Sequence, residues 1–202
     1  MKVLVVDNYD SFVYNIVHAI RSLANVTIDV VRNDQVDLEQ VARYDKILLS
    51  PGPGIPDEAG CMKTLIQQYG PVKSILGICL GHQAIAEVYG ARLYNMSTVL
   101  HGVTGTVVSH ADDLFSNLPD TFQVGHYHSW AVEAASVNYP LRVTATDSLG
   151  QVMGIAHNEF DVKGLQFHPE SVMTTHGLRI LQNWLQATGE QKQLDKGFKQ
   201  RL

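Results

Sequence analysis

The chain has 202 residues, 45% of them hydrophobic, with a formal net charge of −5 at pH 7 and only two cysteines. That is enough apolar chain for one domain with a sizeable core, and mild acidity without a basic cluster argues against nucleic-acid binding. No window approaches the length of a membrane span, and the opening Met1-Lys2-Val3-Leu4-Val5-Val6-Asp7 meets a charge too soon for a secretory signal.

Apolar, β-rich runs alternate with helical patterns along the first half. Lys2 to Val6 reads as a strand and Phe12 to Leu23 as a helix, with Asp10 or Ser11 as its cap. Strands follow at Val26 to Val31 and Lys46 to Leu49, a helix at Met62 to Tyr69, a strand at Ser74 to Ile78 and a helix from Gln83 to Tyr89. This is the rhythm of a parallel sheet covered by helices. From Leu93 to Phe167 the pattern changes to short strand-like runs with turns, including Val103 to Val108, Thr121 to His128, Leu141 to Thr146 and Gln151 to His157, which predicts an antiparallel extension. Leu178 to Leu185 predicts a last amphipathic helix packed on the sheet. The polar tail beyond it reads as a frayed, solvated end.

Three places along these elements carry chemistry. In Gly77-Ile78-Cys79-Leu80-Gly81-His82-Gln83 the thiol sits on a sharp strand-to-helix turn, a nucleophile elbow with sulfur in place of the hydroxyl. Gly77 and Gly81 leave room for a strained turn, and the N–H groups of the following helix favour a thiolate there. A nucleophile needs a base, and the base an orienter. Gln166-Phe167-His168-Pro169-Glu170 places an imidazole and a carboxylate two positions apart, on one side of an extended chain. Ser50-Pro51-Gly52-Pro53-Gly54, directly after a strand, lets a backbone N–H approach a developing oxyanion, with the N–H of Leu80 as second donor.

Together these elements resemble the class I (triad) glutamine amidotransferases, from Met1 to about Ala187. The resemblance implies an α/β fold of the flavodoxin-like three-layer type, with a mainly parallel central sheet and an antiparallel extension. It implies an amidotransferase domain over residues 1–187 and a polar tail over 188–202. The implied reaction is attack of a thiol on the side-chain amide of glutamine, release of ammonia, and hydrolysis of a glutamyl thioester. Cys79 matches the nucleophile, His168 the base and then acid, and Glu170 the orienter. Gly52 and Leu80 match the oxyanion donors, with Pro53 and Gly54 in the same substrate-binding loop. Gln83 and Ser129-Trp130 match the grip on the amino-acid end of glutamine.

Asp7-Asn8-Tyr9-Asp10-Ser11-Phe12 with Asn15, Leu100-His101-Gly102 and Tyr127-His128-Ser129 resemble the glutaminase subunits that serve chorismate-using enzymes. The partner this implies is a separate synthase chain: anthranilate synthase component I, or alternatively aminodeoxychorismate synthase component I. Two departures stand out: Val103 and Gly105 replace the more usual Lys and Ser of a His-Gly-Lys-Thr-Ser run, and His126 replaces a common Arg. The resemblance implies no cofactor and no metal in this chain. His126 and His128 share a strand face but have no third ligand at a suggestive spacing. A Cys61–Cys79 disulfide would abolish the chemistry, so the expected compartment is the reducing cytoplasm. The rival readings are a cysteine hydrolase of γ-glutamyl or peptide bonds, and a catalytically silent scaffold.

Overall fold

A computed structural model describes residues 1–187; the predicted tail over 188–202 lies outside the described residues. Strands β1 (Lys2–Asp7), β2 (Thr27–Arg32), β3 (Lys46–Leu49) and β4 (Ser74–Ile78) alternate with helices α1 (Val13–Leu23), α2 (Met62–Tyr69) and α3 (Leu80–Val88). The second half supplies β5 (Leu93–Ser109), β6 (Thr121–Val132), β7 (Leu141–Asp147), β8 (Val152–His157), β9 (Val162–Leu165) and helix α4 (Gly177–Gln186). Among the described residues these strands form one nine-stranded sheet in the order β2-β1-β3-β4-β9-β8-β7-β5-β6. The pairs from β2 through β9 are parallel and those from β9 through β6 antiparallel.

Strand side chains alternate between faces, so each parallel strand feeds two cores. On one side Val3, Val5, Leu48, Leu76 and Ile78 pack beneath α1 and α4. On the other, Leu4, Val6, Ile47, Leu49 and Ile75 pack beneath α2 and α3. Val13, Ile16, Val17 and Ile20 make a single apolar stripe on α1, and Ile180, Leu181, Trp184 and Leu185 do the same on α4. Burial of each such aliphatic side chain stabilises the fold by about 1.5–3 kcal/mol. The expected three-layer α/β sandwich with an antiparallel extension is what forms.

Boundaries moved where tertiary pairing overrides local pattern. The predicted strand at Val103 to Val108 is the end of a 17-residue strand, because the irregularly patterned stretch from Leu93 also pairs with β6, through register shifts at Asn95/Leu100 and His101/Val103. Helix α3 begins at Leu80 rather than Gln83, immediately after the elbow. Helix α1 begins at Val13 with Phe12 as its cap residue and no side-chain cap, so the expected capping by Asp10 or Ser11 does not form; Asp10 Oδ1 instead accepts from the Phe12 N–H at 2.7 Å in the turn before the helix.

The topology has one consequence for the site. Strands β1, β3, β4 and β9 are neighbours and parallel, so their carboxyl ends deliver Asn8, the Ser50–Gly54 loop, Cys79 and the Gln166–Glu170 segment to one edge of the sheet. Open α/β sheets bind their ligands at that edge. At the opposite end, the side chain of Lys163 on β9 is only 1% exposed, and it is held by Asp112, Asp113 and Asp161.

Candidate active site

Cys79 has φ 52° and ψ −101°, a conformation rarely adopted by a residue with a side chain. The surroundings enforce it. A Cβ at Gly77 would lie 2.4 Å from the carbonyl carbon of Gly81, and one at Gly81 would lie 2.5 Å from the carbonyl oxygen of Leu49, so the elbow closes only with glycine at both places. The Cys79 N–H donates to the Leu165 carbonyl at 2.8 Å, and its own carbonyl accepts from Gln83 at 3.0 Å, which opens α3.

His168 is pinned through its backbone. Its N–H donates to the Gly125 carbonyl at 3.2 Å, and its carbonyl accepts from the Thr174 hydroxyl at 2.6 Å. The ring Nδ1 lies 2.7 Å from Glu170 Oε1, both side chains almost wholly buried. A carboxylate accepts only, so Nδ1 carries the proton and Nε2 is the nitrogen that faces the sulfur. Nε2 is buried, with no hydrogen bond of good geometry at rest. Burial alone would lower the His168 pKa, but the Cys79 sulfur and the Glu170 carboxylate outweigh it and raise the value to about 10. The imidazole is therefore a cation near neutral pH. The ring of Tyr127 meets His168 edge-on at 4.9 Å, and Phe12 packs on Tyr127 at 5.5 Å, so residues from β6 and from the turn before α1 wall the pair.

The loop after β3 is held from β1. Asn8 is buried; its Nδ2 donates to the Ser50 carbonyl at 2.8 Å and its N–H to the Ser50 hydroxyl at 2.9 Å. A Cβ on Gly52 would lie 2.5 Å from the Asn8 carbonyl oxygen and 2.9 Å from the Leu80 side chain. Asn8, singled out in the sequence only as part of a subgroup signature, thus has a physical role, which is to seat the glycine loop beside the elbow.

A cavity of about 190 Å³ opens over the sulfur, lined by Gly52, Pro53, Gly54, Cys79, Gln83, Ser129 and Trp130 together with Val99, Leu100, His101, Tyr127 and His128. Of the expected residues, Leu80 lies beneath the Gly52 loop, and His168 and Glu170 sit outside this lining. The volume is well below the roughly 300–1,000 Å³ of sites for drug-sized ligands. It has room for a small group such as one amino-acid side chain.

Sequence reasoning missed two parts of this site. Gln166 is fully buried, with Nε2 3.7 Å from Cys79 Sγ and Oε1 accepting from Gln83 Nε2 at 3.2 Å. Its signal was an amide two positions before His168, on the same side of an extended segment. His128 was the other. Its Nδ1 lies 2.9 Å from the Trp130 carbonyl, which can only accept, so Nδ1–H donates. Burial pushes the His128 pKa down to about 4, leaving the ring neutral with Nε2 free to accept from His126 Nδ1 at 3.3 Å. The two imidazoles bond to each other, and among the described residues no group of His, Cys, Asp or Glu has the makings of a metal site. His126 also explains a departure seen in the sequence: a Cβ at position 105 would lie 2.4 Å from His126 Nε2, so Gly105 and His126 occupy one space between them.

Comparison with known proteins gives the same picture. The glutamine amidotransferase class-I family profile matches residues 4–187. The chain is 41% identical to anthranilate synthase component 2 of Mycobacterium tuberculosis, over 94% of this chain and 83% of that protein. It is 38% identical to aminodeoxychorismate synthase component 2 of Escherichia coli, over 91% of this chain and 98% of that protein. It is also 41% identical, over 91% of its length, to the bifunctional protein TrpGD of Thermotoga maritima, of which it spans only 32%. Among solved structures, a putative GMP synthase subunit from Thermoplasma acidophilum superposes with a TM-score of 0.84 at 27% identity, over 97% of this chain and 98% of that one.

Proposed function

The chain belongs to the class I glutamine amidotransferase family, and from that premise we propose that it is the glutaminase subunit of a chorismate-using synthase, anthranilate synthase in the first instance. The observation that carries the reading is the Cys79–His168–Glu170 arrangement beneath a cavity with room for one amino-acid side chain. The domain is assigned to residues 1–187.

In the proposed reaction the Cys79 thiolate attacks the side-chain carbonyl carbon of glutamine. The oxyanion forms between the N–H groups of Gly52 and Leu80; Leu80 opens α3, where first-turn N–H groups have no partner within the helix. The His168 cation gives its Nε2 proton to the amide nitrogen, which leaves as ammonia, and a glutamyl thioester remains. Neutral His168 then takes a proton from water, hydroxide attacks the thioester, and the γ-carboxylic acid leaves and ionises to glutamate, with the Cys79 thiolate and the His168 cation restored. Gln83 and the Ser129–Trp130 segment are assigned to the amino-acid end of the substrate.

A separate synthase component would receive the ammonia, a reading supported by relatives that are named as component 2. The anthranilate and aminodeoxychorismate enzymes are both represented among those names, so the second remains the alternative partner. Among the described residues no helix is long and apolar enough to cross a membrane, and both cysteines are free; we assign the chain to the cytoplasm. The test is glutamate release from glutamine, alone and with each component I plus chorismate. Coupling to anthranilate supports the first reading, coupling to aminodeoxychorismate the second, and no glutamate under any pairing rejects both.

Glu170→Gln probes the proton on His168. The carboxylate supports the cationic ring through its hydrogen bond and its charge, so an amide should move the alkaline limb of kcat/KM down by roughly one to three pH units. The loss in kcat should be smaller than that caused by losing the ring itself. An unmoved limb would show that Glu170 does not hold the proton in place.

A further inference from the structure

We propose that Gln166 is a positioning residue that acts through Cys79, its side-chain amide donating to the sulfur and tying it to the wall of the cavity. Its part in turnover rests on the glutaminase reading above; its contact with the sulfur does not.

The orientation of the amide follows from its neighbours. Gln83 Nε2 lies 3.2 Å from Gln166 Oε1 and 3.0 Å from the Trp130 carbonyl. A primary amide nitrogen has two donors and no acceptor, so Gln83 directs both outward, one to each oxygen. Gln166 must then present oxygen to Gln83 and N–H to Cys79 Sγ, 3.7 Å away. A flipped amide would set nitrogen against nitrogen and oxygen against sulfur. The far end is fixed as well, because the Trp130 carbonyl also accepts from His128 Nδ1. One hydrogen-bonded line thus runs from β6 through α3 and the segment after β9 to the sulfur.

The sulfur accordingly faces two donors of different character. His168 gives its proton away during the proposed turnover, while the Gln166 amide does not titrate. A fixed donor aimed at a charge keeps its value when the mobile proton has moved, and hydrogen bonds to charged groups are the stronger kind. Gln166 would hold the sulfur in place and support its charged form, both at rest and when the thioester breaks. Because Gln83 and Trp130 line the cavity, the same line ties the sulfur to the walls that meet the substrate.

The experiment reads the sulfur directly. In a Cys61→Ser background, so that Cys79 is the one thiol, alkylation by iodoacetamide is followed by mass spectrometry across pH, with glutamate release measured in parallel. Gln166→Met has similar volume and no polar atoms of use; Gln166→Glu keeps an acceptor for Gln83 but turns an oxygen toward the sulfur. Both are expected to alkylate roughly tenfold more slowly at neutral pH, with the rate profile moved to higher pH, and to lose kcat with little change in KM for glutamine. Gln166→Glu is expected to be at least as impaired although its bond to Gln83 survives. Should Gln166→Met not fold, Gln166→Glu carries the comparison alone. Alkylation at the parental rate and profile, with only a lower Tm, would overturn the proposal. Normal alkylation of the parent without glutamate release would reject the glutaminase reading instead, and the alkylation arm would still decide the role of Gln166.

Discussion

Cys79→Ala is expected to cut glutamate release from glutamine by a factor on the order of 10⁵–10⁶, the scale of losing a nucleophile from an enzyme that works through a covalent intermediate. Product formation from added ammonia by the complex with the proposed synthase partner should continue, because the proposed division of labour gives the acceptor chemistry to the other subunit. The fold should tolerate the change: Cys79 is a small buried residue, and the elbow is enforced by Gly77, Gly81 and Leu49 rather than by the thiol. Cys79→Ser should behave alike, since a hydroxyl is a far weaker nucleophile than a thiolate. Loss of the ammonia-driven reaction in either variant would contradict the division of labour between the two chains.

The residues assigned to the candidate active site were legible because each stands in a local pattern with its own physical reason. Glycines on both sides of Cys79 announce a turn too tight for any Cβ, and the imidazole and carboxylate of His168 and Glu170 share one side of an extended segment. Met62–Tyr69 and Lys46–Leu49 were legible to the residue, one from its helical stripe and the other from the aliphatic run Ile47-Leu48-Leu49 behind Lys46. What escaped depends on neighbours distant in sequence. Gln166 looks like any polar residue until α3 brings Gln83 against it, and His126 looks like a lost arginine until β5 sets Gly105 beneath its ring. The length of β5 was hidden for a related reason: the apolar residues of Leu93 to Gly102 follow no regular alternation that would announce a strand, and pairing with β6 makes it one. Lys163 shows the limit of the apolar-run argument. It sits fully buried on β9, and only the carboxylates of Asp112, Asp113 and Asp161 make that position tenable.

His168→Ala is expected to lose glutamine turnover to a similar degree as Cys79→Ala, because in the proposed reaction nucleophile and base act as one unit, and the double variant should be no slower than either single one. The two variants should differ in stability. Removing the ring takes from Glu170 Oε1 its donor at 2.7 Å, and Glu170 Oε2 is already buried without a hydrogen-bond partner. Breaking such a buried pair costs about 3–5 kcal/mol, whereas Cys79→Ala removes one small atom. The pH dependence separates this from a packing effect. Burial opposes the charge on His168, yet the Cys79 sulfur and Glu170 raise its folded pKa from 6.5 to about 10. A raised folded pKa stabilises the protein fully below the unfolded value, and that contribution fades as pH climbs through the folded one. Between about 6.5 and about 10, the stability gap between wild type and His168→Ala in urea denaturation should therefore shrink steadily. A gap that stays constant across that window would mean His168 is neutral at rest, and the proton for the departing ammonia would have to come from another group.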